Sequence, residues 1–434
     1  MSPLDPRREA YRILSRVDEA GAFASVLLER SGRELGDPRD VALLTELVLG
    51  VLRRRAALDH AIARAASRPP EEIDRGVMTA LRLGAYALLV LDRIPDFAAV
   101  DTSVRLVREA GAAKAAGFAN GVLRRIARER RDLLPPAPVA GDVEALALYH
   151  SHPTWWTRRV VGRMGWERAE SLLRADNEPA ATVLAPWPRS CSAAELAAAL
   201  EGEGVVTEPC RFVPAALRVT SGVPQSTRAF RDGWFWIQDE ASQLVVTLFG
   251  ETAGPAVADL CAAPGGKTLA LAARLLPGGR IVAVDRRLAR LARLRANLAR
   301  VGAGGVDLLA ADLTRTPPLA GAFDDVLLDA PCSGTGTLRR HPEIRWRLAP
   351  DDIPALAARQ QRLLESAATL VAPGGRLVYA VCSLEPEEGA GVVSAFLESH
   401  PEFDPKGAAL STSPLDDGLD GFFAVRLLRR ANWH

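Results

Sequence analysis

Asp259-Leu-Cys-Ala-Ala-Pro-Gly-Gly-Lys-Thr268 decides how the carboxyl-terminal half of this chain is read. The apolar run Ala256–Leu260 predicts a strand, and Pro264-Gly265-Gly266 predicts a turn from it into a helix. Glycines at such a turn let backbone amides approach a ligand at the helix amino terminus. A Gly-Gly turn by itself only joins strand to helix, so the neighbouring acids carry the argument. Asp285 ends the next predicted strand, about twenty residues on, where a carboxylate can accept both ribose hydroxyls. Asp312 follows the third, in reach of an adenine amino group. Three carboxylates at successive strand ends point to an adenosyl cofactor. A phosphate-binding loop would need glycine five places before Gly266, and the chain has Cys261 there.

Outward from this stretch, apolar strands are predicted at Ala256–Leu260, Ile281–Val284, Val306–Ala310, Asp325–Leu328 and Arg376–Val381, with helical segments between most of them. Such alternation predicts a parallel sheet covered on both faces. Two cysteines sit at strand ends in this region: Cys332 in Asp329-Ala-Pro-Cys332 and Cys382 in Tyr379-Ala-Val-Cys-Ser383. A lone buried cysteine is commonly a small core hydrophobe, the reading given to Cys191 and Cys210. Two thiols at two strand ends beside Asp329 suggest chemistry instead. A thiolate added to carbon 6 of a cytosine makes carbon 5 nucleophilic, dividing one hard step into two. A carboxyl at the N3 edge supports the developing charge, a position that suits Asp329. A second basic group then helps remove the carbon 5 proton, and residue order alone leaves open which thiol attacks.

The rest of the chain is read more coarsely. Residues 1–140 read as all helix, with Leu44, Val48, Val51 and Leu52, then Leu81, Ala85, Leu88 and Leu89, at helical spacing. Leu134-Pro-Pro-Ala-Pro-Val-Ala-Gly141 reads as a linker. Residues 141–231 are expected to form a small α+β domain, with helices around Trp155–Val161 and Ala193–Leu200 and strands at 211–213 and 216–219. Residues 232–434 form the expected α/β domain. The 434-residue length suits several domains, and the net charge of +1 averages over local patches. Five cysteines, with no CxxC pair and no Cys/His cluster, argue against a structural zinc site and for a reducing compartment. No metal is expected. No apolar stretch reaches membrane-spanning length and no signal core opens the chain, so a cytoplasmic monomer without membrane association is expected. Only Lys114, Lys267 and Lys406 among 54 basic residues are lysine, so Lys267 suggests a need for a compact point charge.

These motifs resemble the bacterial ribosomal RNA cytosine-C5 methyltransferases of the RsmB type (also called Fmu or Sun), which carry a NusB-like amino-terminal domain. The resemblance rests on Gln238-Asp-Glu-Ala-Ser242, Cys261 to Lys267, Asp285, Asp312, Asp329 to Gly336, Arg339-Arg-His-Pro-Glu-Ile-Arg-Trp346, Pro373 to Tyr379, Cys382-Ser383 and Asp420-Gly-Phe-Phe423. Upstream, Gly50-Val-Leu-Arg53, Leu58-Asp59, Ile94-Pro-Asp96 and Asn120 to Arg125 resemble the NusB-like part. It implies a Rossmann-like class I methyltransferase domain using S-adenosyl-L-methionine, lined by Cys261, Ala262, Ala263, Pro264, Gly265, Gly266, Lys267, Asp285, Asp312 and Asp329, with Arg290 as a brace. It also implies Cys382 as the nucleophile, Cys332 as the thiol that assists adduct breakdown, and cytosine 967 of 16S ribosomal RNA as the target, met before or during small-subunit assembly.

Two departures stand out. Val381 occupies the place where the family usually has threonine, and the middle domain lacks an Arg-x-Asn strand near 183. Arg339, Arg340, His341, Arg345 and Trp346 combine charge with aromatic faces and are expected to contact RNA. Arg124 to Arg131 forms a second basic run, and Arg286, Arg290, Arg293 and Arg300 a third. The rival readings are a cytosine methyltransferase for another ribosomal site or transfer RNA, a non-catalytic RNA-binding factor, and a P-loop ATPase.

Overall fold

Aspartates at the helix starts begin the organisation of the amino-terminal part. Asp5 and Asp37 accept backbone N–H bonds at the starts of α1 (Pro6–Ala20) and α3 (Pro38–Arg53), each with proline in its first turn. Between and after them run α2 (Ala24–Leu35), α4 (Arg55–Ala66), α5 (Arg75–Leu89), α6 (Asp96–Glu109) and α7 (Ala116–Glu129). Their apolar stripes share one core that includes Leu44, Val48, Leu58, Ile62, Leu81, Val107 and Leu123. Gly50 permits the closest approach: a Cβ there would lie 2.1 Å from the Tyr86 ring. Arg82 ties α5 to α4 and α1 through Asp59 at 2.7 Å and Asp18 at 3.0 Å. The computed structural model describes residues 5–250, 254–315, 319 and 322–431. It divides the chain into one unit of Met1–Pro179 with Leu338–Arg347, and another of Ala180–Thr337 with Leu348–His434. The first unit thus also holds α8 (Val143–Tyr149), α9 (Thr154–Met164) and α10 (Trp166–Ala175).

The second unit begins with a four-stranded antiparallel sheet. Its strands are β1 (Val183–Pro186), β2 (Val206–Pro209), β3 (Leu217–Ser221) and β4 (Phe235–Ile237), in the order β2-β3-β1-β4. Residues 211–213, expected as a strand, lie in the bend and turn between β2 and β3; Pro214 follows them and cannot donate to a ladder. The expected helix at Ala193–Leu200 is present as Ala193–Glu201, started by a Ser192/Glu195 capping box.

The large sheet carries the site. Along it run β5 (Ala256–Leu260), β6 (Arg280–Asp285), β7 (Val306–Ala310), β8 (Phe323–Asp329), β9 (Val371–Val381), β10 (Phe403–Pro405), β11 (Leu410–Thr412) and β12 (Phe422–Arg429). The order is β10-β12-β9-β8-β5-β6-β7, with β11 beside β12. β5 through β9 pair in parallel, while β12 runs antiparallel to β9. The central strands are largely buried on both faces, hence apolar runs such as Ala256-Val-Ala258 and Val326-Leu-Leu328. From β5 the chain moves outward through β6 and β7, then returns to β8 on the other side. That reversal opens a crevice at the carboxyl ends of β5 and β8, where open α/β sheets bind ligands.

Candidate active site

Asp259 ends β5 inside this crevice and is fully buried. Its Oδ2 accepts from the Thr268 hydroxyl at 2.5 Å, while Oδ1 has no hydrogen-bond partner. Burial pushes its carboxyl up to about 7, against the opposing pull of the Thr268 bond. The loop after it is tightly specified. Cys261 takes a positive φ of 65° and Gly265 one of 110°, and a Cβ on Gly265 would lie 2.3 Å from Leu294 Cδ1. Burial also pushes the Cys261 thiol up to about 12, so this cysteine stays protonated.

Asp285, at the end of β6, is 3% exposed. It accepts from the Ala263 N–H at 3.3 Å and the Arg287 N–H at 2.9 Å. Arg290 lies 3.2 Å from Asp285 and donates to Ala263 O at 2.5 Å, bracing strand end and loop together. Asp312 accepts from the Thr314 hydroxyl and N–H at 2.7 and 3.0 Å, bonds that lower its pKa. An orphaned buried carboxylate oxygen at Asp259 and a second buried acid at Asp285 suit a ligand rich in N–H and hydroxyl donors. The donor chemistry of an adenosyl amino acid fits these residues.

Two side chains join this pocket to the thiols. Lys267 is 8% exposed, and its Nζ lies 2.8 Å from Asp329 Oδ2 and 4.8 Å from the Phe422 ring centroid. Burial lowers the lysine pKa, but Asp329 more than offsets this and the net shift is upward. A slim point charge suits this place between Asp329 and an aromatic face, in keeping with lysine in an arginine-rich chain. Because β8 and β9 are paired with Asp329 opposite Ala380, the residues just beyond meet. The sulfurs of Cys332 and Cys382 are 3.3 Å apart. The Cys332 thiol is held well above its usual range, first by its contact with Cys382 and then by burial. Val381 is fully buried in the sheet core, so the side chain at this position packs rather than facing the crevice.

A buried polar cluster beneath the thiols left no signal in the sequence. Glu388 and Gln360 are wholly buried and Ser333 and Ser383 nearly so, and all join one hydrogen-bond network. Glu388 belongs to the run Glu385-Pro-Glu-Glu388, whose composition reads as a solvated turn. No spacing signal distinguishes it.

The expected RNA contacts are placed differently. Arg345 is 2% exposed and donates to Ser151 O, Asn177 Oδ1 and Asp176 O at 2.8–3.1 Å, all within the first unit. Arg339 is also buried; Arg340, His341 and Trp346 are half-buried. Trp346 donates to Leu52 O at 3.2 Å, and His341 packs edge-on against Phe23. Contrary to expectation, the guanidinium of Arg345 points into a protein interior, where carbonyl acceptors take up both of its terminal nitrogens while Nε has no partner. Arg300 likewise donates to Phe230 O and Phe235 O, so it braces the small sheet rather than lying free on a helix face. Arg124 and Arg131 are exposed. Among the described residues no helix is long and apolar enough to cross a membrane, and no metal-holding group of His, Cys, Asp and Glu is found.

Comparison with known proteins agrees along the whole chain. Residues 247–427 match the family described as 16S rRNA methyltransferase RsmB/F. Residues 4–128 match the NusB family, and 152–226 the ferredoxin-like domain of RsmF/B-type methyltransferases. A protein of Mycobacterium tuberculosis named as a methyltransferase is 38% identical over 98% of this chain and 97% of its own. The ribosomal RNA small subunit methyltransferase B of Vibrio cholerae is 33% identical over 98% of each chain. Among solved structures, PH0851 superposes with a TM-score of 0.84 at 27% identity, covering 98% of this chain and 99% of the other.

Proposed function

The chain belongs to the RsmB/F family of 16S rRNA methyltransferases, and from that membership we propose that it methylates carbon 5 of a cytosine in small-subunit ribosomal RNA through a covalent adduct at Cys382. The target we infer is cytosine 967 of the 16S molecule, reached before or during subunit assembly. The observation that carries the chemistry is the pair of sulfurs 3.3 Å apart beside the Lys267–Asp329 ion pair.

S-Adenosylmethionine, held by residues 261–267, Asp285, Asp312 and Asp329 with Arg290 as brace, supplies an electrophilic methyl group when bound. The residues of the chain do the rest. Cys382, its proton given up to solvent, adds as the thiolate to carbon 6 of the flipped-out base and makes carbon 5 a nucleophile. Asp329, about a third exposed, faces the N3 edge together with Lys267 at 2.8 Å, and the ammonium that Asp329 holds there balances the negative charge that develops on the ring. Cys332, whose sulfur lies 3.3 Å from that of Cys382, hands its proton to the departing Cys382 sulfur and takes the carbon 5 proton in exchange, so that it is a thiol before and after adduct breakdown. The single-stranded RNA surface we propose includes Arg124 and Arg131, which are exposed to solvent, and excludes Arg345, which is not.

The test is a denaturing gel of Cys332→Ala and Cys382→Ala proteins, each incubated with unmodified 16S RNA and S-adenosylmethionine. Cys332→Ala accumulates a protein–RNA adduct; Cys382→Ala gives neither adduct nor methylated product. An adduct in the Cys382 variant instead would reverse the two roles. Sequencing of the methylated RNA then reports whether position 967 is the one modified.

A further inference from the structure

Glu388 lies in the π-helical turn Glu387–Gly391, just beyond the end of β9, and none of its surface is exposed. Such turns are frequent at functional sites. Its Oε1 accepts from the Ser333 N–H at 2.8 Å and from Gln360 Nε2 at 2.9 Å. Its Oε2 accepts from the Ser333 hydroxyl and from the Ser383 hydroxyl at 2.5 Å. Four donors fill the acceptor capacity of a carboxylate. Ser333 directly follows Cys332, and Ser383 directly follows Cys382. One side chain therefore holds both cysteine loops.

We propose that Glu388 is a positioning residue of the two-thiol site: its carboxylate clasps the residue after each cysteine, fixes the two sulfurs against one another and divides them into an attacking and a reserve thiol. The inference rests on the two-thiol reading above. The surrounding charges favour such a division. Contact with Cys382 and burial come first in disfavouring a thiolate at Cys332, and the negative charge of Glu388 adds to them, while the ammonium of Lys267 interacts with Cys382. The groups facing Cys332 are Tyr379 on β9, Cys382 just beyond its end, Glu388 from the turn, and the Gly334 N–H of its own loop. Tyr379 further secures the turn by donating to Glu388 O at 2.5 Å. The helix Asp352–Ala368 contributes the neutral Gln360 to the same carboxylate.

The experiment follows alkylation of Cys332 by iodoacetamide from pH 6 to 11, in the full-length Cys382→Ala protein, with the modified peptide quantified by mass spectrometry. Adding Glu388→Gln lowers the midpoint of the Cys332 profile by about one pH unit. Glu388→Asp, which keeps the charge, stays nearer the parent. Identical profiles for the parent and the Gln variant would overturn the proposal, since a residue that only supports the fold leaves a thiol's titration where it was. If Glu388→Gln does not fold, Ser333→Ala in the otherwise native protein provides the second reading. It lowers kcat severalfold with KM for RNA unchanged, and native kcat in that variant defeats the clasp. Alkylation needs no RNA, so this outcome is separate from methylation persisting in Cys382→Ala, which would instead defeat the two-thiol reading.

Discussion

Asp259 concentrates the residue-scale physics of the site. Its carboxyl is raised from an ordinary 3.8 to about 7, chiefly because it is fully buried at the end of β5. A folded state that holds this proton more tightly than the unfolded chain loses stability as pH rises through that interval. Between pH 4 and 7 the contribution is at most about 4 kcal/mol, and it is constant above. Urea unfolding of the wild type and Asp259→Asn at pH 5 and pH 8 checks the sign. The wild type loses more stability over that rise than the variant, and equal changes in the two would contradict the assignment. The acid was readable as a strand-end residue from the pattern Asp259-Leu-Cys. Its buried, half-satisfied state was not, because burial depends on how β6 and β8 flank β5.

At the scale of elements, the β5 turn and the helix Gly266–Ala272 form a loop in which glycine is obligatory. At Gly265 both the positive φ and the nearness of Leu294, on the helix Leu288–Val301, exclude a side chain. Gly265→Ala is expected to destabilise the protein by about 1–3 kcal/mol and to weaken S-adenosylmethionine binding at least tenfold. Gly302, with a similar φ sign but open space around it, is the control: Gly302→Ala carries the backbone strain and keeps cofactor affinity. Thermal melts and calorimetric titration separate the two effects. The central parallel strands were legible because strands buried on both faces are rich in apolar residues, and the edge strand β7 because of its Leu308-Leu309 pair. Residues 211–213 misled because a short apolar run beside proline looks alike in a strand and in a turn.

At the scale of the whole molecule, residues 338–347 change their meaning. In sequence they continue the Cys332 loop with four arginines, a histidine and a tryptophan, the composition of an RNA contact. In the structure they belong to the first unit, where Glu343 accepts from the Ala24 N–H and so caps α2, whose own cap residue, Phe23, supplies no side-chain bond. Removing Arg345 strands three acceptors in a buried place, so Arg345→Met is expected to lower stability by about 3 kcal/mol. It leaves the salt dependence of RNA binding unchanged. Replacing both Arg124 and Arg131 by alanine does the opposite: stability holds, and the slope of log K against log salt flattens by about 2. Filter binding between 50 and 300 mM salt distinguishes the two cases, and a flatter slope in Arg345→Met would return that residue to the RNA surface.

Local chemistry accounts for what the sequence determined by itself. A strand–turn–helix with glycines, acids at successive strand ends and cysteines at two of them follow from short-range spacing, and these carry the proposal of an adenosyl pocket beside two thiols. The tertiary structure alone decided which side chains serve as support. Glu388 beneath the cysteines and Arg345 inside the first unit are charged residues whose partners lie 55 and up to 194 positions away. Charge in a sequence reads as exposure unless something far along the chain satisfies it, and only folding brings those hydrogen-bond partners within reach.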